Sequence, residues 1–251
     1  MAKYNVRGLN PFNRVKTLAE ALQKALPYDE IFINGSEKKG SFNKITSGVT
    51  INGSHTTLKC PEHKICILAN GSGELILKDI NIIVDGMANG ISVQNWQGKL
   101  TLENVNIQYS RKANPKKLKI FPAMNIAENP NLDVEFINSY VEGFAATNVN
   151  SITVTNSTIN GTRNQSFSRS KQTTIQSSKL ENTTFESKNL KVSDVALSQK
   201  NTFKGKGEVT KINFNEEGTN ELKLIGTFNL HDVHLSQLLS SVTFSNGQII
   251  M

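Results

Sequence analysis

The residues able to do chemistry in this chain are few, and most of them fail on spacing. Its four histidines are His55, His63, His231 and His234. His231 and His234 stand three apart and flank Asp232, a spacing that would place two metal ligands on one face of a helix. Cys60, His63 and Cys66 form C-x2-H-x2-C, but no second cluster supplies the remaining ligand of a tetrahedral zinc site. Two cysteines make no disulfide scaffold, and they read as free thiols. The signatures of phosphate loops, dinucleotide sites and nucleophile elbows are absent, as is a DNA-binding helix. No cofactor and no metal is expected.

What remains is basic charge. Arg111, Lys112, Lys116, Lys117 and Lys119 fall within nine positions between Ile107 and Ala123. Arg163 stands at the same offset from Ile159 as Arg111 from Ile107, and Arg169 and Lys171 follow it. The chain has 28 Lys and Arg against 21 Asp and Glu, a formal charge of +7, which favours acidic polymers as partners. Clustered cations bind such polymers by releasing their counterions. The plainer reading of the same residues is a solvated loop kept soluble by its lysines.

The elements that must carry these residues are legible as a repeat. Six segments share one eight-residue pattern: Leu75 to Ile82, Leu100 to Ile107, Val134 to Val141, Ile152 to Ile159, Thr173 to Leu180 and Leu190 to Leu197. Positions 1, 3 and 8 are apolar or β-branched, and position 5 is Asp79, Asn104, Asn138, Asn156, Ser177 or Asp194. Apolar residues two apart make a strand with one buried face. Asn or Asp then suits a sharp bend, because these side chains tolerate the left-handed conformation. The segments start 25, 34, 18, 21 and 17 residues apart, the length of one solenoid coil with loops of varying size. The 30 asparagines of the 251-residue chain, against 7% aromatics, follow from repeated bends.

Short strands between the repeats, at Gly90 to Val93, Ala123 to Ile126, Thr147 to Val149 and Phe167 to Arg169, give each coil a third strand. Three parallel sheets would then surround one core. Residues 13 to 26 carry Val15, Leu18, Ala19, Leu22 and Leu26 at helical spacing, with Asn13 as N-cap and Pro27 as stop. Such a helix would cover the first coil, since an exposed strand edge invites pairing with other chains. The chain thus divides into an arm with a capping helix over 1–30 and a solenoid over 31–251. After Leu197 the spacing blurs: Phe228 to Leu235 and Val242 to Ile249 fit the pattern but start only 14 residues apart. No stretch approaches the roughly 20 apolar residues of a membrane span. The first residues hold no apolar signal region, which leaves the chain cytoplasmic, exported without a classical signal, or deprived of a leader.

A capping helix followed by coils of h-x-h-x-N-x-x-h and a G-I-x-V strand resembles the right-handed parallel β-helix of the pectin-lyase-like superfamily. The resemblance implies an all-β, single-domain fold of about ten coils and an active face on the outside of the first sheet. Enzymes of that family need carboxylates flanking a sugar or holding calcium. The first-sheet residues expected to point outwards are Ser92, Gln94, Asn125, Asn148 and Ser168, and none is an acid. Asp85 and Glu128, near the strand ends, are isolated and read as solvated. The expectation is therefore a non-catalytic binding or structural module of a cell-surface, phage or mobile-element assembly, contacting an acidic or neutral polysaccharide or another protein. Its site would be Arg111, Lys112, Lys116, Lys117, Lys119, Arg163, Arg169 and Lys171, with Asn125 and Asn148. Two readings stay open beside it: a polysaccharide lyase or hydrolase using Arg111, Arg163 or Lys171 as base or charge stabiliser, and nucleic-acid binding through the basic loop. A homo-oligomer is compatible with all three.

Overall fold

The computed structural model describes residues 1–6, 14–34, 43–111, 121–161, 166–214 and 220–233, with the backbone alone of 242–245 and 249–250. The chain winds into an all-β parallel solenoid of about eight turns. One coil contributes Met124–Ile126 to a first sheet, the end of Asn129–Ile137 to a second and Tyr140–Glu142 to a third. Each strand pairs in parallel with its counterparts on both sides: Met124 with Ile91 and Phe144, Val134 with Leu100 and Ile152, Val141 with Ile107 and Ile159. Eight coils carry all three strands. At the two ends only some sheets continue, which is why the count falls below the ten expected from the sequence.

The apolar repeat positions face the core as their spacing predicts. Leu100, Leu102, Ile107, Val134, Phe136, Val141, Ile152, Val154 and Ile159 are each at most 1% exposed. Burying one such side chain stabilises by about 1.5–3 kcal/mol. The six position-5 residues all adopt the left-handed backbone, with φ between 47° and 54°. The corner is closed by its neighbours: the Asn104, Asn138, Asn156 and Ser177 amides donate to Ile137, Thr155, Gln176 and Ser193 carbonyls of the next coil at 3.0–3.2 Å. Asn104 Nδ2 also donates to Asp79 Oδ1 at 3.1 Å, and Ser177 Oγ to Asp194 Oδ2 at 3.3 Å.

Beside this row runs a second one that the repeat pattern did not reveal. Ser139, Ser157 and Ser178 are buried at the following position. Each amide from Val105 onwards donates to the serine hydroxyl one coil further on: Val105 to Ser139, Ser139 to Ser157 and Ser157 to Ser178, at 2.9–3.1 Å. The hydroxyls in turn donate to carbonyls, among them those of Ile137, Thr155 and Gln176. Each of the three buried hydroxyls therefore both accepts and donates, as burial of a polar group requires.

Several expectations need correction. The helix is Leu18–Lys24, and its N-cap is Thr17, whose hydroxyl accepts from the Glu20 amide at 3.1 Å. Glu20 Oε2 accepts from the Lys16 amide at 2.8 Å, one residue before the N-cap, so the acid in the first turn also holds the entering chain. Arg14–Val15 is a short strand beside Lys3–Val6, and Val15 reaches the core from there, not from the helix. Leu18 and Ala21 are the buried helical residues, whereas Leu26 is 68% exposed because the helix has already ended. Asn13 lies outside the described residues. The arm also contributes structure, since Lys3–Val6 pairs with Glu30–Ile33 in the second sheet.

The tail is regular once its sheets are assigned. Val242–Ser245 pairs with 222–225 in the first sheet, while Ile249–Ile250 pairs with 228–229 in the second. The 14-residue spacing compared two different sheets. A further coil over 200–214 escaped the pattern because Gly207 and Lys211 occupy positions 1 and 5; Lys211 nevertheless adopts φ 52°. Among the described residues no helix is long and apolar enough to cross a membrane.

Left-handed backbone costs an ordinary residue about 1–2 kcal/mol, and Asn recovers part of it by local bonding. Asn104→Ala is expected to destabilise by about 1–2 kcal/mol, and Lys211→Asn to stabilise by about 0.5–1 kcal/mol. Denaturant midpoints check both signs. At the capped end, Leu18→Ala should cost about 2–5 kcal/mol and Leu26→Ala less than about 0.5 kcal/mol. Equal melting-temperature losses for the two leucines would contradict the helix boundary.

Candidate anion-binding groove

A concave surface lies at the corner between the first and second sheets, over three consecutive coils and the edge of the coil before them. It is a groove of about 690 Å³ lined by Asn148, Arg169, Lys171, Glu186, Lys188, Asn189, Lys204 and Lys206, with Ser170, Ser187 and Gly205 beneath. Five cations surround one carboxylate. A shallower depression of about 380 Å³ shares Asn189 and Lys206 and carries the groove onto the second sheet past Lys191 and Glu208.

A short local repeat builds it. Arg169-Ser170-Lys171, Glu186-Ser187-Lys188 and Lys204-Gly205-Lys206 are three tripeptides in which a small residue separates two polar ones. Parallel pairing sets Arg169 beside Glu186 beside Lys204, and Ser170 beside Ser187 beside Gly205. The middle residue turns into the corner, where Ser170 and Ser187 are buried. Gly205 has φ 134°, and a Cβ there would collide with the Ser187 carbonyl oxygen, so the corner excludes side chains at this coil. The flanking residues consequently point outwards. Adjacent strands lie about 4.8 Å apart, and Lys171 stands beside Lys188 in the unbroken register of the first pair; the second pair shifts between Ser187 and Leu190, so that Lys206 faces Lys188 and Asn189 together, and the groove receives one such lysine from each coil.

The outer rows differ in how their charge is held. Glu186 is bound from both sides: Arg169 Nε lies 3.2 Å from its Oε1, and Lys204 Nζ 3.2 Å from its Oε2. Burial would push the Glu186 carboxyl up, but the hydrogen bonds from Lys204 and Arg169 outweigh it and hold the group below the usual carboxylate range. Lys171 Nζ donates to the Pro130 carbonyl at 3.3 Å and, at a longer reach, to Asn150 Oδ1. Among the described residues Lys188 and Lys206 have no side-chain partner, and both are exposed.

The expected site residues are distributed unevenly. Asn148, Arg169 and Lys171 line the groove. Asn148 sits at the corner with φ 53° and donates to Glu128 Oε1 at 3.0 Å. The strand expected at Thr147 to Val149 is instead Phe144 to Ala146, and the chain shifts register where Asn148 turns. Asn125 lies on the outer row of the first sheet between Ser92 and Ala145, outside the groove. Arg111 is exposed at the end of a third-sheet strand, three coils before Arg169, and is not brought to it. Lys112, Lys116, Lys117, Lys119 and Arg163 lie outside the described residues, as does His234.

Ser168 was expected to point outwards but faces the core. Its strand register places it in the inward row with Ala146 and Phe185, and its Oγ is buried with no hydrogen-bond partner. Ser92 is in the outer row yet only 2% exposed. Asp85 and Glu128 are not simply solvated: Ser110 Oγ donates to Asp85 Oδ1 at 2.6 Å, and Asn148 holds Glu128. Asp232 is a bend residue with φ 51°, as the repeat frame requires. Cys60 and Cys66 are buried and are not joined by a disulfide. Among the described residues no three His, Cys, Asp or Glu side chains converge on a metal position.

Lys188, Lys204, Lys206 and Glu186 were missed by the sequence reading, which searched for charge density within one loop. The available signal was the tripeptide recurring at coil spacing. Alternate residues Asp133 and Glu135 share the outer face of the second sheet, about 6.6 Å apart for extended backbone, a separation that suits inverting hydrolysis. Both are already engaged. Glu135 Oε2 pairs with Lys99 at 2.7 Å, and Asp133 Oδ1 accepts from Asn150 Nδ2 at 2.8 Å and Ser151 Oγ at 2.5 Å.

Comparison with protein-family models, with curated proteins and with solved structures finds no match to any of them.

The inward orientation of Ser168 has a measurable consequence, since an unpaired buried hydroxyl costs about 1–3 kcal/mol. Ser168→Ala is expected to raise stability by about 1 kcal/mol. An outward-facing serine would leave the denaturant midpoint where it was.

Proposed function

We propose that this protein is a right-handed parallel β-helix of the pectin-lyase-like kind that binds, without cleaving, a linear polyanion such as an acidic polysaccharide. The family reading is supported by three sheets per coil and by a left-handed Asn or Asp bend between the second and third. The binding reading is carried by one observation: tripeptides on three neighbouring coils give a single groove five cations against one carboxylate, and so a net positive charge. The absence of cleavage is supported by the groove's sole carboxylate, Glu186, being tied to two cations and so unavailable as a base. The line Lys171, Lys188, Lys206 matches an extended chain lying parallel to the axis, with one charge met at each coil.

Single-stranded nucleic acid fits less well, because its binders offer aromatic faces for base stacking. Among the described residues no aromatic lines the groove, and the nearby Phe167 ring is covered by Arg169 at 5.9 Å.

The test is binding of polygalacturonate and heparin across a salt series, with a neutral glucan as control. Affinity should fall steeply with salt. Changing Lys171, Lys188 and Lys206 together to Gln should weaken binding more than about tenfold and flatten the log–log salt slope by about two. The melting temperature should barely change, because exposed lysines contribute little to stability. Polymer binding that ignores these lysines would remove the groove from the account, and measured depolymerisation would establish an enzyme instead.

A further inference from the structure

The groove's single acid stands where its effect on the neighbouring charges is largest. Glu186 occupies the middle of the three coils, directly between Arg169 and Lys204 in the pairing register. It contacts Arg169 through both carboxylate oxygens, at 3.2 Å to Nε and 3.4 Å to Nη2, and Lys204 through Oε2 at 3.2 Å. Its side chain is 25% exposed, so the pairs are partly shielded from water. Two residues further along each coil, the parallel line Lys171, Lys188, Lys206 contains no acid. The groove therefore carries two adjacent rows of three residues, one reduced to a single net positive charge by its own carboxylate and one with three cations and no acid.

We propose that Glu186 is the specificity-determining residue of the groove, an internal counter-anion that withdraws Arg169 and Lys204 from binding and confines an anionic chain to the lysine line. This rests on the polyanion-binding reading above and adds which cations the ligand meets. The ligand so defined is a single extended chain with about one accessible anionic group per 4.8 Å of length. A broad or doubly charged strip that needs both rows must first displace a carboxylate already held by two cations.

Polygalacturonate and heparin binding would be measured for the native protein and for Glu186→Gln, Arg169→Gln, Lys204→Gln and Lys188→Gln. Glu186→Gln keeps the side-chain shape and frees two cations, so affinity should rise about fivefold and the log–log salt slope steepen by about one to two. In the native background Lys188→Gln should weaken binding more than about threefold, and Arg169→Gln and Lys204→Gln should each weaken it clearly less than Lys188→Gln does. In the Glu186→Gln background Arg169→Gln should reverse most of the gain. Binding that is lost in the triple lysine variant but unchanged or weakened in Glu186→Gln overturns this inference alone. So does a loss from Arg169→Gln as large as that from Lys188→Gln, which stands even if Glu186→Gln folds poorly. Native binding that does not depend on the three lysines overturns the functional reading itself.

Discussion

In a parallel solenoid each residue stands directly above and below its counterpart in the neighbouring coils, about 4.8 Å away. Whatever one coil places at a position, the next must tolerate at close range. Apolar rows satisfy this without further provision, as with Ile107, Val141 and Ile159 in the third sheet. Polar rows do so only if each member both donates and accepts along the axis. The bends at Asn104, Asn138, Asn156 and Ser177 and the amides of Val105, Ser139 and Ser157 meet that condition, because each of these amides finds an oxygen one coil further on. The corners are therefore held by hydrogen bonds that no single coil could make.

The same constraint shapes the interior beneath the groove. In the earlier coils the inward row of the first sheet is Ile67, Ile91, Met124 and Phe144; in the later ones it becomes Ser166, Thr183 and Asn201. The change is accommodated by hydrogen bonding. Thr183 donates to Asn201 Oδ1 at 3.0 Å, the Phe144 amide to Ser166 Oγ at 3.0 Å, and Ser170 Oγ lies 2.6 Å from Thr173 Oγ1. Small hydroxyl residues also let the corner turn tightly enough for both flanking side chains to project. The basic groove and the hydroxyl-rich core below it are thus consequences of one local sequence, repeated three times.

On the outer surface stacking has the opposite effect. Like charges repeated at coil spacing repel, and a row of three cations would be costly unless water or a counter-anion attends it. The structure contains both solutions side by side. Glu186 offsets one row internally, while among the described residues no carboxylate pairs with Lys171, Lys188 or Lys206, and all three are exposed. A surface that stores unpaired charge in a line is suited to a partner whose own charges lie in a line.

The sequence alone determined the class of fold and the bend at the fifth position of each repeat, because both depend on patterns within one coil. Apolar alternation and a left-handed Asn or Asp are local requirements, and Asn104, Asn138, Asn156 and Asp232 could be placed from them. Where a weaker residue meets the same requirement, as Lys211 does, its backbone is held by the coils on either side and no local signal announces it. The helix boundary was misjudged for a related reason: Val15 and Leu26 have helical spacing, but Val15 is claimed by pairing with Val6. The site was the least legible feature. Residues 17 or 18 apart in the chain become neighbours only when the coil length between them is known, and that length is set by register. Arg169, Glu186 and Lys204 are unremarkable in sequence. Their pairing, and the open lysine line beside it, belong to the tertiary structure because a charge acts through distance in space and not along the chain.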